Sequence, residues 1–370
     1  MLIKENIYIY GAGSRGRELL SLISTNYNDY LCVNGFIDKS KKGAVEQLRI
    51  VSIDKCEINN TIVISIADFE IALDVAIDLK NKGFKNVYWY NTKTQRKKYY
   101  DFFAEQCVSC SKWNKATLLH VEMHAMDSCN LNCKGCTHYS PIFERKKPDT
   151  DSRLHDIETL GEKIGSIANF YILGGEPLLN DEIEKYVMKV KEIYSDAAVV
   201  LVTNGLLLPK CSAEFLNYLS RNNICVSISE YEPTHRNIDK IINILCEHNV
   251  VYKLRPYDTK QKFNLPLSKE KTNERFCISD GCINVWNGLI ARCPTLMYVP
   301  MLNRRFNLKY PEEGIFKLKE INSEIEIKNM LQRAVPLCDY CSKNEIEWGT
   351  CGKEVSSKDF IMEKESFENE

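Results

Sequence analysis

The sequence predicts an α/β protein built on parallel sheets, and three observations support this fold class. A short apolar strand at residues 7–10 leads directly into a glycine-rich turn and a helical pattern. From residue 118 onward, strand-like and helical patterns alternate, as they do in parallel sheets with crossover helices. Downstream, cysteines flank an Asn-Gly turn at 287–288, which is a strong hairpin signal.

The composition argues against several functional classes. The chain has 370 residues, enough for two or three domains, and its 49 Lys and Arg residues balance 50 Asp and Glu residues. This balance argues against a nucleic-acid partner. The start lacks a signal-peptide core, and no run approaches the roughly 20 apolar residues that a membrane helix needs. We therefore expect a cytoplasmic protein without a membrane partner, in which 16 cysteines favour metal or redox chemistry over disulfides.

Residues 1–95 are predicted to form a small Rossmann-like parallel-sheet domain. The turn at 11–16 has the pattern Gly-x-Gly-x-x-Gly, and an acidic residue ends a second strand about 20 residues later, the order of a nucleotide-binding βαβ unit. The candidate residues for a nucleotide or nucleotide-sugar are Gly11, Gly13, Gly16 and Asp38. The unit resembles small domains at the front of sugar-modifying acyltransferases and methyltransferases of surface-glycan pathways. A domain that keeps the turn but binds no ligand is the alternative.

Residues 96–116 are predicted to be a connector. Cys107 and Cys110 lie here as a Cys-x-x-Cys pair with no second pair nearby, and we interpret them as incidental thiols. Five other cysteines occur singly in strand or helix patterns, where we expect them to be buried as small apolar residues. These are Cys32, Cys56, Cys211, Cys225 and Cys246.

A cysteine loop follows the first strand of the alternating region, which ends near residue 126. Cys129, Cys133 and Cys136 are separated by three and two residues. Three thiolates on one turn can hold three irons of a four-iron cluster and leave the fourth iron open, which favours chemistry over electron storage. Zinc with His138 as its fourth ligand is the alternative on this stretch.

Other residues of interest follow the next predicted strands. Gly174-Gly175-Glu176, Asn204 and Ser229 each lie at a strand end, and the carboxyl ends of parallel strands meet at one edge of the sheet. Paired glycines let a ligand approach the backbone, and Glu176 places a carboxylate where a ligand ammonium can sit. His120 and His124 share one face of the preceding strand, and we interpret them as histidines of a barrel interior.

The cysteine loop and the Gly-Gly-Glu stretch together resemble the radical S-adenosylmethionine (SAM) superfamily. The resemblance implies a partial (β/α)6 TIM-like barrel over residues 117–262, with a 4Fe–4S cluster on the loop and SAM chelating its open iron. It implies cluster ligands Cys129, Cys133 and Cys136 and SAM-binding residues Gly174, Gly175, Glu176, Asn204 and Ser229. Gly135 departs from the family, which often has an aromatic residue there, near the adenine. Tyr139 and His138 are candidates to replace it.

Residues 263–352 form a cysteine-rich block with a hairpin and a distant Cys-x-x-Cys pair, for which a zinc ribbon is one interpretation. In context, the block resembles the SPASM/Twitch extension of radical SAM enzymes, which implies one auxiliary 4Fe–4S cluster. Four of five cysteines are expected to bind it: Cys277, Cys282, Cys293, Cys338 and Cys341. Cys351 is a reserve candidate. Residues 353–370 are predicted to be a loose tail.

The resemblance implies a radical SAM oxidoreductase that generates a 5′-deoxyadenosyl radical and receives electrons from a flavodoxin- or ferredoxin-type donor. The front domain favours a small-molecule substrate, a sugar or sugar-nucleotide of surface-glycan biosynthesis that is epimerised, dehydrogenated or rearranged. Maturation of a ribosomal peptide is the alternative activity, for which a peptide-binding winged-helix domain is expected instead of the βαβ unit. A non-enzymatic zinc scaffold is the alternative of another class.

Overall fold

The front of the chain folds around a mostly parallel sheet. A computed structural model describes residues 4–91, 102–272, 277 and 281–362. The strands of the front sheet are β1 (Glu5–Tyr10), β2 (Leu31–Ile37), β3 (Ala44–Val45), β4 (Leu48–Val51), β5 (Thr61–Ile64), β6 (Val87–Tyr90) and β7 (Cys107–Ser109). Its helices are α1 (Ser14–Asn26), α2 (Phe69–Asn81) and α3 (Phe102–Gln106). The strand order is β3-β4-β2-β1-β5-β6-β7, and the neighbouring pairs from β4 to β6 are parallel, as predicted for this sheet.

The glycine-rich turn between β1 and α1 has a structural explanation in the chain itself. Gly11 has a φ of +108°, and a Cβ on Gly16 would lie 2.0 Å from the Gly11 carbonyl oxygen. The Asp38 carboxylate accepts hydrogen bonds from the backbone N–H groups of Ala12 (2.9 Å) and Lys41 (3.0 Å). Burial raises the Asp38 pKa, but these hydrogen bonds outweigh it and lower the pKa to about 2. Nucleotide binding at this turn remains a prediction.

The prediction of a connector is wrong for residues 102–110. Strand β7 pairs antiparallel with β6 and so extends the front sheet. Cys110 is fully buried in the core that this sheet forms with α2, as expected of an incidental thiol. Residues 92–101 lie outside the described part of the chain. Among the single cysteines, Cys225 is buried as expected, whereas Cys32 is exposed, so the prediction of burial is wrong for that residue.

The middle of the chain forms alternating strands and helices. The strands are β8 (Leu118–Met126), β9 (Ile167–Gly174), β10 (Ala198–Thr203), β11 (Cys225–Ser229) and β12 (Tyr252–Arg255). The helices are α4 (Thr150–Lys163), α5 (Ile183–Ile193), α6 (Ala213–Arg221), α7 (Glu232–His235) and α8 (Ile238–Glu247). All neighbouring pairs in the order β12-β11-β10-β9-β8 are parallel, and within the described residues the sheet stays open, which confirms a partial barrel.

An apolar stripe from Leu154 to Ile167 predicts a helix over residues 151–168, but α4 ends at Lys163. The apolar stripe continues through Ile164 and Ile167, but Ile167 begins β9. Both side chains are still buried in the core between sheet and helices, which explains why they extend the apolar pattern. None of the described helices is both long enough and apolar enough to cross a membrane.

The cysteine-rich block contributes strands to the same sheet. From residue 262 onward, the block and the segment after it contain β13 (Lys262–Asn264), β14 (Leu267–Ser268), β15 (Ile283–Trp286), β16 (Leu289–Ala291), β17 (Ile315–Lys317), β18 (Glu345–Glu347), β19 (Ile361–Met362), α9 (Pro294–Phe306) and α10 (Glu324–Gln332). The predicted hairpin is β15–β16, and its turn residues Asn287 and Gly288 have φ values of +49° and +73°, as a type I′ turn requires. Strand β15 pairs parallel with β8, opposite Val121, so the barrel gains its next parallel strand from the extension.

The prediction of a loose tail from Lys353 is wrong up to Met362. Strand β19 pairs with β14, and Phe360 is fully buried in a core with α9. An aromatic contact joins Phe360 to Tyr139, with ring centroids 5.5 Å apart. This part of the chain therefore packs against the cysteine loop, and residues 363–370 lie outside the described part.

Candidate active site

A cavity of about 260 Å³ lies at the carboxyl ends of β8–β11. Most of the residues predicted to hold the loop cluster and SAM line it: Cys129, Cys133, Cys136, Gly174, Gly175, Asn204 and Ser229. The sequence placed them at separate strand ends, and the parallel sheet brings those ends together. The cavity thus joins a three-thiol loop, a glycine pair and polar side chains in one place.

The thiols of the loop have N–H donors aimed at their sulfur atoms. The backbone N–H of Leu131 donates to Cys129 Sγ at 3.4 Å, and Trp348 Nε1 donates to Cys133 Sγ at 3.2 Å. Burial raises the pKa of Cys129 to about 11 and that of Cys133 to about 12. Without a metal both thiols are therefore protonated at neutral pH, and binding to iron has to displace their protons. Donors that point at sulfur suit thiolate ligands of a cluster.

The Gly-Gly-Glu stretch touches the backbone just before the cysteine loop. The Gly175 N–H donates to the Met126 carbonyl at 2.8 Å, and the Glu176 N–H donates to the Ser128 carbonyl at 3.1 Å. A Cβ on Gly174 would lie 1.9 Å from Met126 O, and one on Gly175 would lie 2.2 Å from Ser128 O. Only glycine allows this approach, so the pair fixes the end of β9 against the start of the loop.

The Glu176 carboxylate does not line the cavity, contrary to our expectation that it faces a ligand ammonium. It is completely buried and accepts hydrogen bonds from Thr203 Oγ1 (2.7 Å), Asn204 N (2.8 Å) and Leu178 N (3.1 Å). Burial raises the Glu176 pKa to about 7, against the lowering effect of these donors. Glu176 is thus a positioning residue that holds Asn204, whose Nδ2 donates to Asn130 Oδ1 at 2.7 Å.

The structure explains why residue 135 is glycine. Gly135 has a φ of +65°, and a Cβ there would lie 3.2 Å from both Phe263 Cβ and Ile346 Cδ1. Phe263 and Tyr231 line the cavity and form its aromatic wall, with ring centroids 5.8 Å apart. Tyr139 is fully buried elsewhere, so the expectation that it replaces the missing aromatic is wrong, whereas His138 does line the cavity.

The cysteine loop is held by residues near 350, which the sequence analysis did not assign to this site. The Lys134 N–H donates to Gly349 O at 2.8 Å, and the Gly135 N–H donates to Asp359 O at 2.7 Å. The Cys351 N–H donates in return to Asn132 O at 2.8 Å. Cys351 therefore packs beside the loop thiols and not with the second thiol group, where we had kept it as a reserve ligand. Trp348 was missed because nothing in the sequence relates it to Cys133, 215 residues earlier.

A second group of thiols lies in the cysteine-rich block. Burial raises the pKa of both Cys293 and Cys341 to about 12, with further increases from neighbouring thiols: Cys341 and Cys277 act on Cys293, and Cys338 and Cys277 act on Cys341. Cys277 therefore lies near both Cys293 and Cys341, and Cys338 lies near Cys341. Backbone N–H groups of Leu296 and Val335 each donate at 3.4 Å, to Cys293 Sγ and Cys338 Sγ. The fifth candidate, Cys282, groups instead with His120 and Glu122.

His124, one of the two histidines predicted to lie inside the barrel, belongs to a chain of buried polar side chains beside the cavity. His124 Nε2 is 2.9 Å from His138 Nδ1, and His124 Nδ1 is 3.0 Å from Asp127 Oδ1. Asp127 also accepts a hydrogen bond from Trp286 Nε1 and pairs with Arg153. Burial lowers the pKa of His138 to about 4, so the imidazole is neutral at pH 7.

The open parallel sheet and its cysteine-loop cavity define an α/β domain that gathers its site at the carboxyl ends of the strands. Residues 123–251 match the family model described as "Radical SAM superfamily". This part of the chain is a radical SAM domain.

Curated relatives of this domain include the protein named GTP 3′,8-cyclase. The one from Alkaliphilus oremlandii (strain OhILAs) is 29% identical over 116 residues, covering 31% of this chain and 36% of the relative. The one from Clostridium acetobutylicum is 24% identical over 205 residues, covering 55% of this chain and 62% of the relative. The chain thus spans about a third of the first relative's length. A solved structure of BtrN in complex with AdoMet and 2-DOIA aligns with a TM-score of 0.39 and 16% identity, covering 60% of this chain and 92% of that one.

Proposed function

We propose that this protein is a radical SAM enzyme that cleaves SAM reductively and abstracts hydrogen from a small anionic molecule. The observation that carries the proposal is the cavity in which the Cys129, Cys133 and Cys136 thiols meet Gly174, Gly175 and the polar ends of β10 and β11. When bound, a 4Fe–4S cluster with one open iron supplies the electron that cleaves the SAM sulfonium and yields the 5′-deoxyadenosyl radical.

The donor set suits this cofactor pair. The thiols have N–H donors at sulfur, and the glycine pair leaves backbone exposed where the methionyl end of SAM is expected. Asn204, held by Glu176, and Ser229 present polar groups to the SAM carboxylate or ribose. Tyr231 and Phe263 offer an aromatic surface for the adenine in place of a side chain at residue 135. These contacts would orient SAM in the cavity.

The second thiol group is proposed to hold an auxiliary 4Fe–4S cluster through Cys277, Cys293, Cys338 and Cys341. Four converging thiols with backbone donors at two sulfur atoms suit a closed, fully ligated cluster. Such a cluster transfers electrons and has no open iron. A flavodoxin- or ferredoxin-type protein is the proposed source of the reducing electron.

The substrate is proposed to be a phosphate-bearing sugar, such as a sugar-nucleotide of surface-glycan biosynthesis, that is epimerised, dehydrogenated or rearranged. Arg255 and Lys262 line the exposed side of the cavity and place positive charge where a phosphate can bind. The relatives named GTP 3′,8-cyclase act, by that name, on a phosphate-bearing substrate, GTP, which supports this proposal. Maturation of a ribosomal peptide remains the alternative activity, but no described feature of the front sheet favours it.

A zinc scaffold at the cysteine loop has less support. It needs His138 as the fourth ligand, but both ring nitrogens of His138 face other groups. Nδ1 is 2.9 Å from His124 Nε2, and Nε2 is 3.9 Å from Glu122 Oε2.

The test is anaerobic purification with metal analysis, followed by incubation with dithionite and SAM. The proposal expects a brown protein with about eight irons that forms 5′-deoxyadenosine and methionine. A panel of sugar-nucleotides, nucleoside triphosphates and peptides is then screened for a substrate that increases turnover and transfers deuterium to 5′-deoxyadenosine. A colourless protein that binds zinc at the loop and leaves SAM intact would overturn the proposal. Stimulation by peptides alone would overturn the sugar assignment but not the radical chemistry.

A further inference from the structure

We propose that His120, Glu122 and Cys282 form a third metal site, for a single divalent zinc ion, apart from both thiol groups. Each residue offers one ligand atom, and these three atoms lie within 4.8 Å of one another. The inference rests on these side chains and does not depend on the proposed reaction with SAM.

The fold explains why these residues meet. His120 and Glu122 are two positions apart on β8, so their side chains project from the same face of the sheet. The alternate residues Val121 and Met123 point into the core with the helices. Cys282 directly precedes β15, which pairs with β8 at Ile283 opposite Val121. The thiol is therefore brought to the β8 side chains by strand pairing, although 160 residues separate Cys282 from Glu122 (282 − 122).

The donor set matches the chemistry of zinc. An imidazole nitrogen, a carboxylate oxygen and a thiolate are the three ligand types that zinc prefers in proteins. His120 Nε2 and Glu122 Oε1 are within hydrogen-bond distance, at 2.8 Å. Two ligand atoms of tetrahedral zinc lie about 3.3 Å apart, so a small shift of these side chains would admit the ion. Three protein ligands leave one tetrahedral position for water or another small ligand.

Neighbouring side chains hold the candidate ligands in place through a hydrogen bond and ring stacking. Asn284 Nδ2 donates to Glu122 Oε2 at 2.9 Å, which leaves Oε1 to face His120. The Tyr171 ring stacks on His120 with centroids 4.1 Å apart and an interplanar angle of 13°. Glu122 is only 8% exposed, and a metal ion bound here would help to offset the cost of burying its carboxylate.

The strand register places Cys282 beside β8, because the next residue, Ile283, pairs with Val121, and the Cys282 thiol groups with His120 and Glu122. The site is also close to the cavity, since Glu122 Oε2 is 3.9 Å from His138 Nε2 and His138 lines the cavity wall. A zinc ion here would lie one side chain away from that wall.

The experiment measures zinc and iron in the full-length protein, purified anaerobically from zinc-supplemented cells and treated with a weak chelator. The parent protein is expected to retain about one zinc per chain in addition to its iron. His120→Ala and Cys282→Ser should each reduce zinc at least about five-fold and leave iron unchanged. Cys246→Ser is the matched control, because this thiol lies in α8 away from the site, and it should retain the parent's zinc.

X-ray absorption at the zinc edge of the parent protein keeps the test decisive if a variant misfolds. The proposal expects one sulfur and otherwise nitrogen or oxygen ligands. Absence of zinc from the parent protein, or zinc bound by sulfur atoms alone, would overturn the proposal. His120 and Glu122 would then form only an ion pair with each other. A loss of about four irons in Cys282→Ser would also overturn it, by assigning Cys282 to the second thiol group. A failure of SAM cleavage would instead count against the proposed function alone.

Discussion

The two thiol groups of this protein are built in opposite ways. The cysteine loop places Cys129, Cys133 and Cys136 within one turn after β8, and residues near 350 close over it. The second group draws Cys277, Cys293, Cys338 and Cys341 from segments before the hairpin, after it and beyond α10. The loop group lines a cavity with three thiols, whereas the other group draws on four thiols. This difference is the basis of the proposal that the first site holds a reacting ligand and the second transfers electrons.

The largest effect is expected from Cys133→Ala. Loss of one of the three loop ligands should remove about four of the eight irons, because the cluster is then no longer held by three thiolates. Without this cluster, 5′-deoxyadenosine formation should fall at least about 1,000-fold. Iron analysis and chromatography of the SAM products measure both effects. Cys211→Ser, a half-buried thiol before α6, is the control and should behave like the parent. Normal SAM cleavage by Cys133→Ala would contradict the assignment of the loop.

Cys341→Ala should have a smaller, selective effect. It should also remove about four irons, but reductive SAM cleavage without substrate should stay within about three-fold of the parent because the loop cluster remains. Electron paramagnetic resonance of the reduced variant, with and without SAM, measures this, since only a cluster with an open iron changes its signal when SAM binds. Loss of the SAM-sensitive signal would show that the two groups are not independent.

Gly135→Ala tests how tightly the loop is closed. The left-handed φ and the 3.2 Å approach to Phe263 and Ile346 predict destabilisation of about 1–2 kcal/mol. Thermal unfolding with the clusters present measures the effect, together with the affinity for SAM. Gly349→Ala is the matched control, because a Cβ there meets nothing within 4 Å. Equal melting temperatures for the two variants would contradict this account of residue 135.

Asp38→Asn tests a change far from the metal sites, because the described core of the front sheet contacts neither thiol group. The Asp38 pKa is about 2 when folded and near 3.8 in its ordinary state, so the carboxylate stabilises the fold above pH 4 and loses this effect as the pH falls towards 2. The variant should be about 1–2 kcal/mol less stable at pH 7 after allowance for solvent screening. Urea unfolding of the metal-free protein should show a smaller difference at pH 3, and iron content at pH 7 should not change.

The smallest effect concerns Trp348→Phe, which keeps the stacking on Tyr231 but removes the donor to Cys133 Sγ. A hydrogen bond favours the more negative, reduced cluster, and its loss should cost about 1 kcal/mol, or about 40 mV for a one-electron couple. A potentiometric titration in the Cys341→Ala background should therefore show a lower midpoint potential for the loop cluster. An unchanged potential would mean that the indole does not act on this sulfur.

The contrast between the two thiol groups also explains what could be read from the sequence. The cysteine loop, the Gly-Gly pair and the Asn287-Gly288 hairpin are local patterns, and the structure places them as predicted. Cys282 was left undecided because strand pairing between β15 and β8, and not spacing, decides its neighbours. The direction of the Glu176 carboxylate and the contact of Trp348 with Cys133 depend on tertiary packing, which carries no periodic signal.

The pairing of β15 with β8 means that the cysteine-rich block is not a detachable module. Strand β8 has β9 on one side and β15 on the other. A truncated protein ending near residue 262 would leave backbone N–H and C=O groups of β8 without their β15 partners. An exposed strand edge of this kind promotes intermolecular pairing and aggregation. Exchange of the extension between related enzymes would therefore succeed only if the donor brings a strand of matching register. For the expression of shortened variants, the safe boundary lies after β19, because Gly349 and Asp359 hold the cysteine loop and β19 pairs with β14.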